Sequence, residues 1–302
     1  MTPKQKRGSF YAILSGFLYG FIGYFGLTVT HSGISLTNML FWRFLIASAL
    51  ILLVLIPKFR DLKESWQQVL LAFLCGAVFY IFSTMLFFRA AEYIGSGLAM
   101  VIFFSYPVMV IVINYFLFGQ YIPRLYYAAA AIVILGMSLF VDLNELQLDL
   151  MGVALGVVSA LLYAAYMVAS KKSTVSPTVS ALMVSLGCMV TSLICTLVNG
   201  TWAVPSTLNI WMNLLGIGAF ATAIPILLLL YSLKYISSEK ASLLSVLEPV
   251  FVVIFGVILL GETLAWQHVV GVFVVLTGAM LTLFSDKVDF KKSKPMAHLE
   301  SN

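Results

Sequence analysis

One acidic side chain, Glu248, stands inside the long apolar run LLSVLEPVFVVIFGVILL (Leu243–Leu260). Read as a membrane helix starting near residue 239, this run carries Glu248 about nine residues in, or ~14 Å at 1.5 Å per residue. That is close to the bilayer midplane. A carboxyl there costs on the order of 3 kcal/mol on insertion scales, and such groups usually face a cavity and act in it. Two chemistries follow: holding a substrate ammonium, or taking up a coupling proton. The plainer alternative is a carboxyl hydrogen-bonded to a neighbouring helix for packing. Arg43, in LFWRFL (Leu40–Leu45), is the other ionisable group within an apolar run. It either attracts a carboxylate or snorkels to the nearer interface, since the guanidinium reaches far.

Around these two charges the sequence offers polar handles but no catalytic set. Tyr19, Tyr80, Ser83, Tyr106 and Tyr163 lie within apolar runs. A tyrosine hydroxyl in hydrocarbon usually finds a partner, so each alone reads as packing. Together they outline an aromatic pocket with a few polar groups. Pro107 and Pro249 stand mid-run, where proline removes a backbone donor and kinks a helix. The freed carbonyls either line the site or only accompany a change of packing angle.

The phosphate-binding loop Gx4GK[ST], HExxH and GxSxG are absent. No enzyme activity, cofactor or metal is therefore expected. Cys75, Cys188 and Cys195 form no C-x-x-C pair and read as small packing residues. The basic residues gather on no stripe that nucleic acid would need.

The elements that must position these groups are membrane helices. Of 302 residues, 62% are hydrophobic and 10% charged, against ~25% charged in soluble domains. A water-facing surface has no place for that excess of Leu, Val, Ile and Phe, whereas a lipid-facing one does. Crossing ~30 Å of hydrocarbon takes roughly 20 apolar residues. Ten runs qualify: 10–30, 36–56, 67–88, 96–118, 123–141, 151–170, 178–198, 209–233, 239–260 and 265–284. Strands are excluded, because these runs do not alternate apolar with polar. The first run is longer than the apolar core of a signal peptide and reads as a retained helix.

Charge gives the direction. With the N-terminus in the cytoplasm, the inner segments hold 15 of the 17 Lys and Arg residues, among them Lys58, Arg60, Lys63, Arg124, Lys171, Lys172, Lys234 and Lys240. Only Arg89 falls in an outer loop, and Arg43 within a helix. Both termini are thus expected to be cytoplasmic, with residues 287–302 as a disordered tail whose lysines suit an anionic membrane surface.

The chain also resembles itself. Tyr93–Leu139 lies on Tyr235–Leu281 at an offset of 142 without a gap, with 12 identities in 47 positions. The informative ones are Tyr93/Tyr235, Pro107/Pro249, Gly119/Gly261 and Gly136/Gly278. A fainter echo pairs Ser15, Leu18 and Tyr19 with Ser159, Leu162 and Tyr163. Two five-helix copies, residues 1–145 and 146–286, are expected. Five is odd, so the second copy enters from the opposite side, as in the inverted repeats of secondary transporters. The fold class expected is an all-α integral membrane protein of ten helices in two inverted repeats.

FWRF (Phe41–Phe44), the Pro107 neighbourhood and LLSVLEPVFVVIFGVILLGETLAWQHVVG (Leu243–Gly271) resemble the EamA type of the drug/metabolite transporter superfamily. The matching positions are Glu248-Pro249, Gly261-Glu262, Gln267 and Gly271, and Gly119-Gln120 departs from the common Gly-Glu. The resemblance implies a secondary transporter, often an exporter, with a small-molecule substrate in a central cavity between the halves. An amino acid is the first choice of solute, with Glu248 meeting its ammonium and Arg43 its carboxylate. A multidrug or lipid-like amphiphile transporter is the alternative within that class, and a membrane enzyme or scaffold the alternative outside it. The expected setting is the inner (plasma) membrane, as a monomer or homodimer, with protons as a possible coupling ion and the lipid bilayer as the other partner.

Overall fold

A computed structural model describes residues 2–57, 64–141, 149–261 and 265–289. Every regular element among them is helical. In chain order they are α1 (Pro3–Tyr19 and Ile22–His31), α2 (Leu36–Leu55), α3 (Trp66–Ile94), α4 (Ser96–Phe103 and Tyr106–Phe118) and α5 (Arg124–Ser138). Then follow α6 (Leu150–Lys172), α7 (Pro177–Val198), α8 (Leu208–Tyr235), α9 (Ser238–Ser245 and Glu248–Leu260) and α10 (Trp266–Asp289).

Among the described residues nine of these helices are long and apolar enough to cross a membrane. The exception is α5. Its 15 residues reach only ~22 Å, short of ~30 Å of hydrocarbon. Large apolar side chains face outward around the bundle, with Phe116 76%, Ile258 70% and Phe273 65% exposed. Water would reject such a surface and lipid accepts it, which accounts for the composition. The protein is a multi-pass membrane protein. Lys58, Arg60, Lys63 and Glu262 lie outside the described residues, as does most of the expected tail, since α10 continues to Asp289.

Local chemistry sets the helix ends. The Ser35, Thr207 and Ser237 hydroxyls and the Asp149 carboxylate accept from first-turn amides of α2, α8, α9 and α6, as N-caps do. Gly119 (φ 59°) ends α4 and Gly261 (φ 70°) ends α9. Both take the left-handed conformation that favours glycine.

The offset of 142 seen in the sequence reappears in the backbone. It carries Ser96–Phe103 onto Ser238–Ser245, Tyr106–Phe118 onto Glu248–Leu260, and the start of α5 at Arg124 onto that of α10 at Trp266. The breaks within α4 and α9 coincide too: ψ is 7° and −7° at Phe104 and Ser105, and −4° and −15° at Val246 and Leu247. These values lie far from the helical −42°. Each break falls two residues before its proline. Pro107 and Pro249 thus stand just after a break midway along each span, where a proline that cannot donate to the carbonyl four residues back interrupts the helix. They sit in the first turn of a new half-helix, where the missing N–H costs nothing.

The helices pair across the two copies. α1 packs along α8, α2 along α7, α3 along α6 and α5 along α10. In the first pair Gly8 lies beside Tyr235 and the Ser15 hydroxyl donates to Pro225 O at 2.8 Å, so those helices run antiparallel. Close approach shapes the centre as well. A Cβ on Gly20 would come within 2.6 Å of Phe251 Cβ, so α1 can lie against the second half of α9 only because Gly20 has none.

Three details depart from the sequence reading. The first helix is interrupted at Gly20 and Phe21. Cys75–Tyr80 in α3 and Ala219–Ala223 in α8 are π-helical turns. Lys240, counted above with the inner segments at the start of the ninth run, is only 2% exposed.

Candidate substrate cavity

A cavity of about 390 Å³ runs between the two copies, from the level of Tyr19, Tyr80, Tyr163 and Glu248 to Thr30 and Ser96 at the helix ends. Those ends lie at the face opposite the Lys- and Arg-rich connections, called here the basic face. The volume falls within the ~300–1,000 Å³ of small-molecule sites. Met39, Phe87, Phe88, Met100, Phe103 and Val252 make its apolar wall.

The α9 break places Glu248. Val246 and Leu247 leave the helix, and Glu248 begins the next one, so its side chain emerges from a first turn into the cavity. The Glu248 carboxyl makes no ion pair or side-chain hydrogen bond among the described residues. Arg43 lines the same cavity from α2. Its Nε donates to Thr222 Oγ1 at 2.6 Å, and Nη2 lies 3.5 Å from Ala221 O. At 2% exposure it does not snorkel to an interface. Thr222 belongs to the π-helical turn of α8 and donates in turn to Ile217 O at 2.7 Å. Such turns often mark functional sites, and this one aims a hydroxyl at the guanidinium. The Arg43 fork keeps donors to spare. A cation and an anion thus share one cavity without pairing with each other.

Tyrosines build the floor. Tyr80 OH donates to Tyr19 OH at 3.3 Å, and the Tyr80 ring lies 5.8 Å from Tyr163 and 5.0 Å from Tyr166. Tyr19 and Tyr163, paired by the weak echo in the sequence, therefore meet the same ring or hydroxyl on α3. Aromatic faces beside an acid favour a cationic group.

Two sequence candidates do not line this cavity. Tyr106 is buried behind Tyr163 at a centroid distance of 4.7 Å, and its hydroxyl donates to Ser242 O at 3.2 Å. Ser83 donates to Ser159 O at 2.8 Å, and Ser159 Oγ returns the bond to Ser83 O at 2.7 Å. That reciprocal clasp joins α3 to α6. Hydrogen bonds between membrane helices average ~0.6 kcal/mol in double-mutant cycles. Ser83→Ala is accordingly expected to lower thermal stability slightly and leave ligand affinity within about twofold, checked by melting curves with and without ligand.

Thr222, Tyr166, Thr84 and Phe103 were missed in the sequence. For Thr222 a signal existed, because the offset of 142 extended upstream pairs it with Tyr80. The same offset pairs Glu248 with Tyr106.

The EamA-like transporter family matches residues 6–141 and again 150–284. The chain belongs to the EamA-like transporter family. Both EamA repeats contribute to the cavity, Arg43 and Tyr80 from the first and Tyr163 and Glu248 from the second. Two relatives have similar length. An uncharacterized transporter, YxxF, of Bacillus subtilis (strain 168) is 25% identical over 292 residues, covering 94% of this chain and 92% of the relative. An uncharacterized transporter of Clostridium kluyveri is 22% identical over 312 residues, covering 98% and 100%. A protein of known crystal structure superposes with a TM-score of 0.76 over 93% of this chain and 98% of its own, at 16% identity. That likeness speaks to the fold alone.

Proposed function

We propose that this EamA-like transporter is a secondary active carrier of a small zwitterionic metabolite of the amino-acid class. It works by alternating access, in the direction of export that the family resemblance implies. The observation that carries the solute class is the unpaired placement of Glu248 and Arg43 in one cavity. An ammonium bound at Glu248 and a carboxylate bound at Arg43 complete two charges that the protein leaves open. Charge-assisted bonds to both ends are worth ~1.5–3 kcal/mol each. The tyrosine floor and the aromatic wall then receive the solute's apolar part.

We further infer that the two EamA repeats are inverted copies of five spans each, α5 included, with both termini at the cytoplasmic face of the plasma membrane. The shared offset, the matched breaks in α4 and α9 and the pairing of helices across the copies support this. The positive face supports the orientation. Glu248 also offers a place for a coupling proton. Protonation would discharge the ammonium site, so solute affinity should fall as pH falls.

The apolar wall of Phe87, Phe88, Met100 and Phe103 favours a second reading, a cationic amphiphile held by Glu248 and the aromatics alone. A thermal-shift screen of the purified protein separates the two. Ligand at 100 Kd adds about 2.7 kcal/mol of stability. The zwitterion reading expects shifts with amino acids, and none of that size with the matching amines or carboxylic acids. Equal shifts with amine and amino acid would favour the amphiphile. Silence across all three series at millimolar concentration would contradict a small-solute site.

A further inference from the structure

The half-helices related by the offset are not in the same environment. Ser238–Ser245, at the basic face, is buried at every residue. Its counterpart Ser96–Phe103, at the opposite face, buries only Ala99 fully and gives Ser96, Met100 and Phe103 to the cavity wall. Something holds the first shut while the second stands open.

The first half of α1 and helices α5, α6, α8 and α10 pack against Ser238–Ser245, and three hydrogen bonds reach it from the second half of α4. Asn114 Nδ2 donates to Ser238 Oγ at 2.9 Å and to Glu239 Oε1. Two turns away on the same helix face, Tyr106 OH donates to Ser242 O. Asn114 is 1% and Glu239 5% exposed, so these bonds form out of contact with water. There a lost partner leaves a buried polar group unsatisfied.

The open face lacks the equivalent. At the offset of 142, Asn114 falls on Gly256 and Glu239 falls on Gly97; only Ser238 keeps its type, as Ser96. A pair of glycines has no side-chain donor or acceptor with which to repeat the bond. Closure at the basic face is thus fastened by side chains, and closure at the opposite face would not be.

We propose that Asn114, Ser238 and Glu239 form a latch that fastens the Ser238–Ser245 half of α9 over the cavity and biases the resting protein toward access from the opposite face. The latch rests on the alternating-access reading. It adds which end is fastened, by which residues, and which way the equilibrium leans. Asn114 and Glu239 are positioning residues, since neither lines the cavity.

Hydrogen–deuterium exchange on the purified full chain without ligand tests this. In the unmutated protein, amides of 238–247 should exchange slowly and those of 96–105 faster. Asn114→Ala and Glu239→Ala should each speed exchange over 238–247 by about tenfold or more and slow it over 96–105. Glu239→Gln, whose amide oxygen still accepts from Asn114, should stay within about threefold of the unmutated protein. Opposite changes in the two segments are what a shifted equilibrium produces and a merely loosened helix does not. Faster exchange in both segments, or no change in either, would overturn the latch. A protein that shows the reciprocal pattern yet shifts with no solute keeps the latch and loses the zwitterion reading.

Discussion

Glu248→Gln abolishes measurable solute binding and transport while the protein stays folded. Glutamine keeps the shape of the side chain and its acceptor oxygen but carries no charge. The Glu248 carboxyl has no ion-pair partner among the described residues, so the substitution breaks no ionic link that the fold needs. Beyond a longer-range attraction to Arg43 across the cavity, it removes what the carboxylate offers a solute. Truncating one member of a buried charge pair costs ~2–5 kcal/mol, which is a loss of roughly 30- to 4,000-fold in affinity. Melting temperature without ligand should hardly move, and the ligand-induced shift should vanish. The pH dependence of binding should vanish with it, because the titrating group is gone. A variant that binds as tightly as the unmutated protein would make Glu248 a packing residue.

Arg43→Lys has a different signature. The guanidinium holds Thr222 through Nε and keeps further N–H donors for a carboxylate. A lysine ammonium is a single point donor on a flexible stem and cannot replace the planar fork. Zwitterion affinity should fall by roughly 10- to 150-fold, the worth of a charged hydrogen bond at ~1.5–3 kcal/mol. An amine without a carboxylate, which makes no use of Arg43, should bind within about threefold of its former affinity. Calorimetric titration with both ligands reads the difference directly. Equal loss for both would mean that Arg43 acts by supporting the π-helical turn of α8 rather than by meeting the solute.

Much of the architecture was legible in the sequence because lipid imposes blunt rules. Long apolar runs, basic connections and a gapless offset of 142 needed no knowledge of packing. Side-chain direction was harder to read. Ser83 and Tyr80 lie three residues apart on α3, yet one clasps α6 and the other floors the cavity. An apolar run does not say which face of its helix meets protein and which meets lipid. The π-helical turns were also invisible, since one extra residue in a turn leaves no pattern in a sequence this uniformly apolar. Those turns bring Thr222 to Arg43 and end at Tyr80. Pro107 and Pro249 stand mid-span, as the sequence has them, but beside a sharp break that starts a new half-helix. Proline marks where a helix begins as readily as where one bends. The latch escaped notice because Asn114 and Glu239 are far apart in the chain and fall outside the pattern of identities. Their significance lies in the glycines that stand opposite them.

The most direct test of the account is counterflow in proteoliposomes. Vesicles containing the protein are loaded with an excess of one unlabelled amino acid and diluted into a trace of the same compound carrying a label. A carrier that exposes one cavity to each side in turn should accumulate label transiently above the level of protein-free vesicles, and Glu248→Gln vesicles should not. Label that stays at the protein-free level for every amino acid that stabilises the purified protein would contradict it, leaving a membrane protein that binds these solutes and does not carry them.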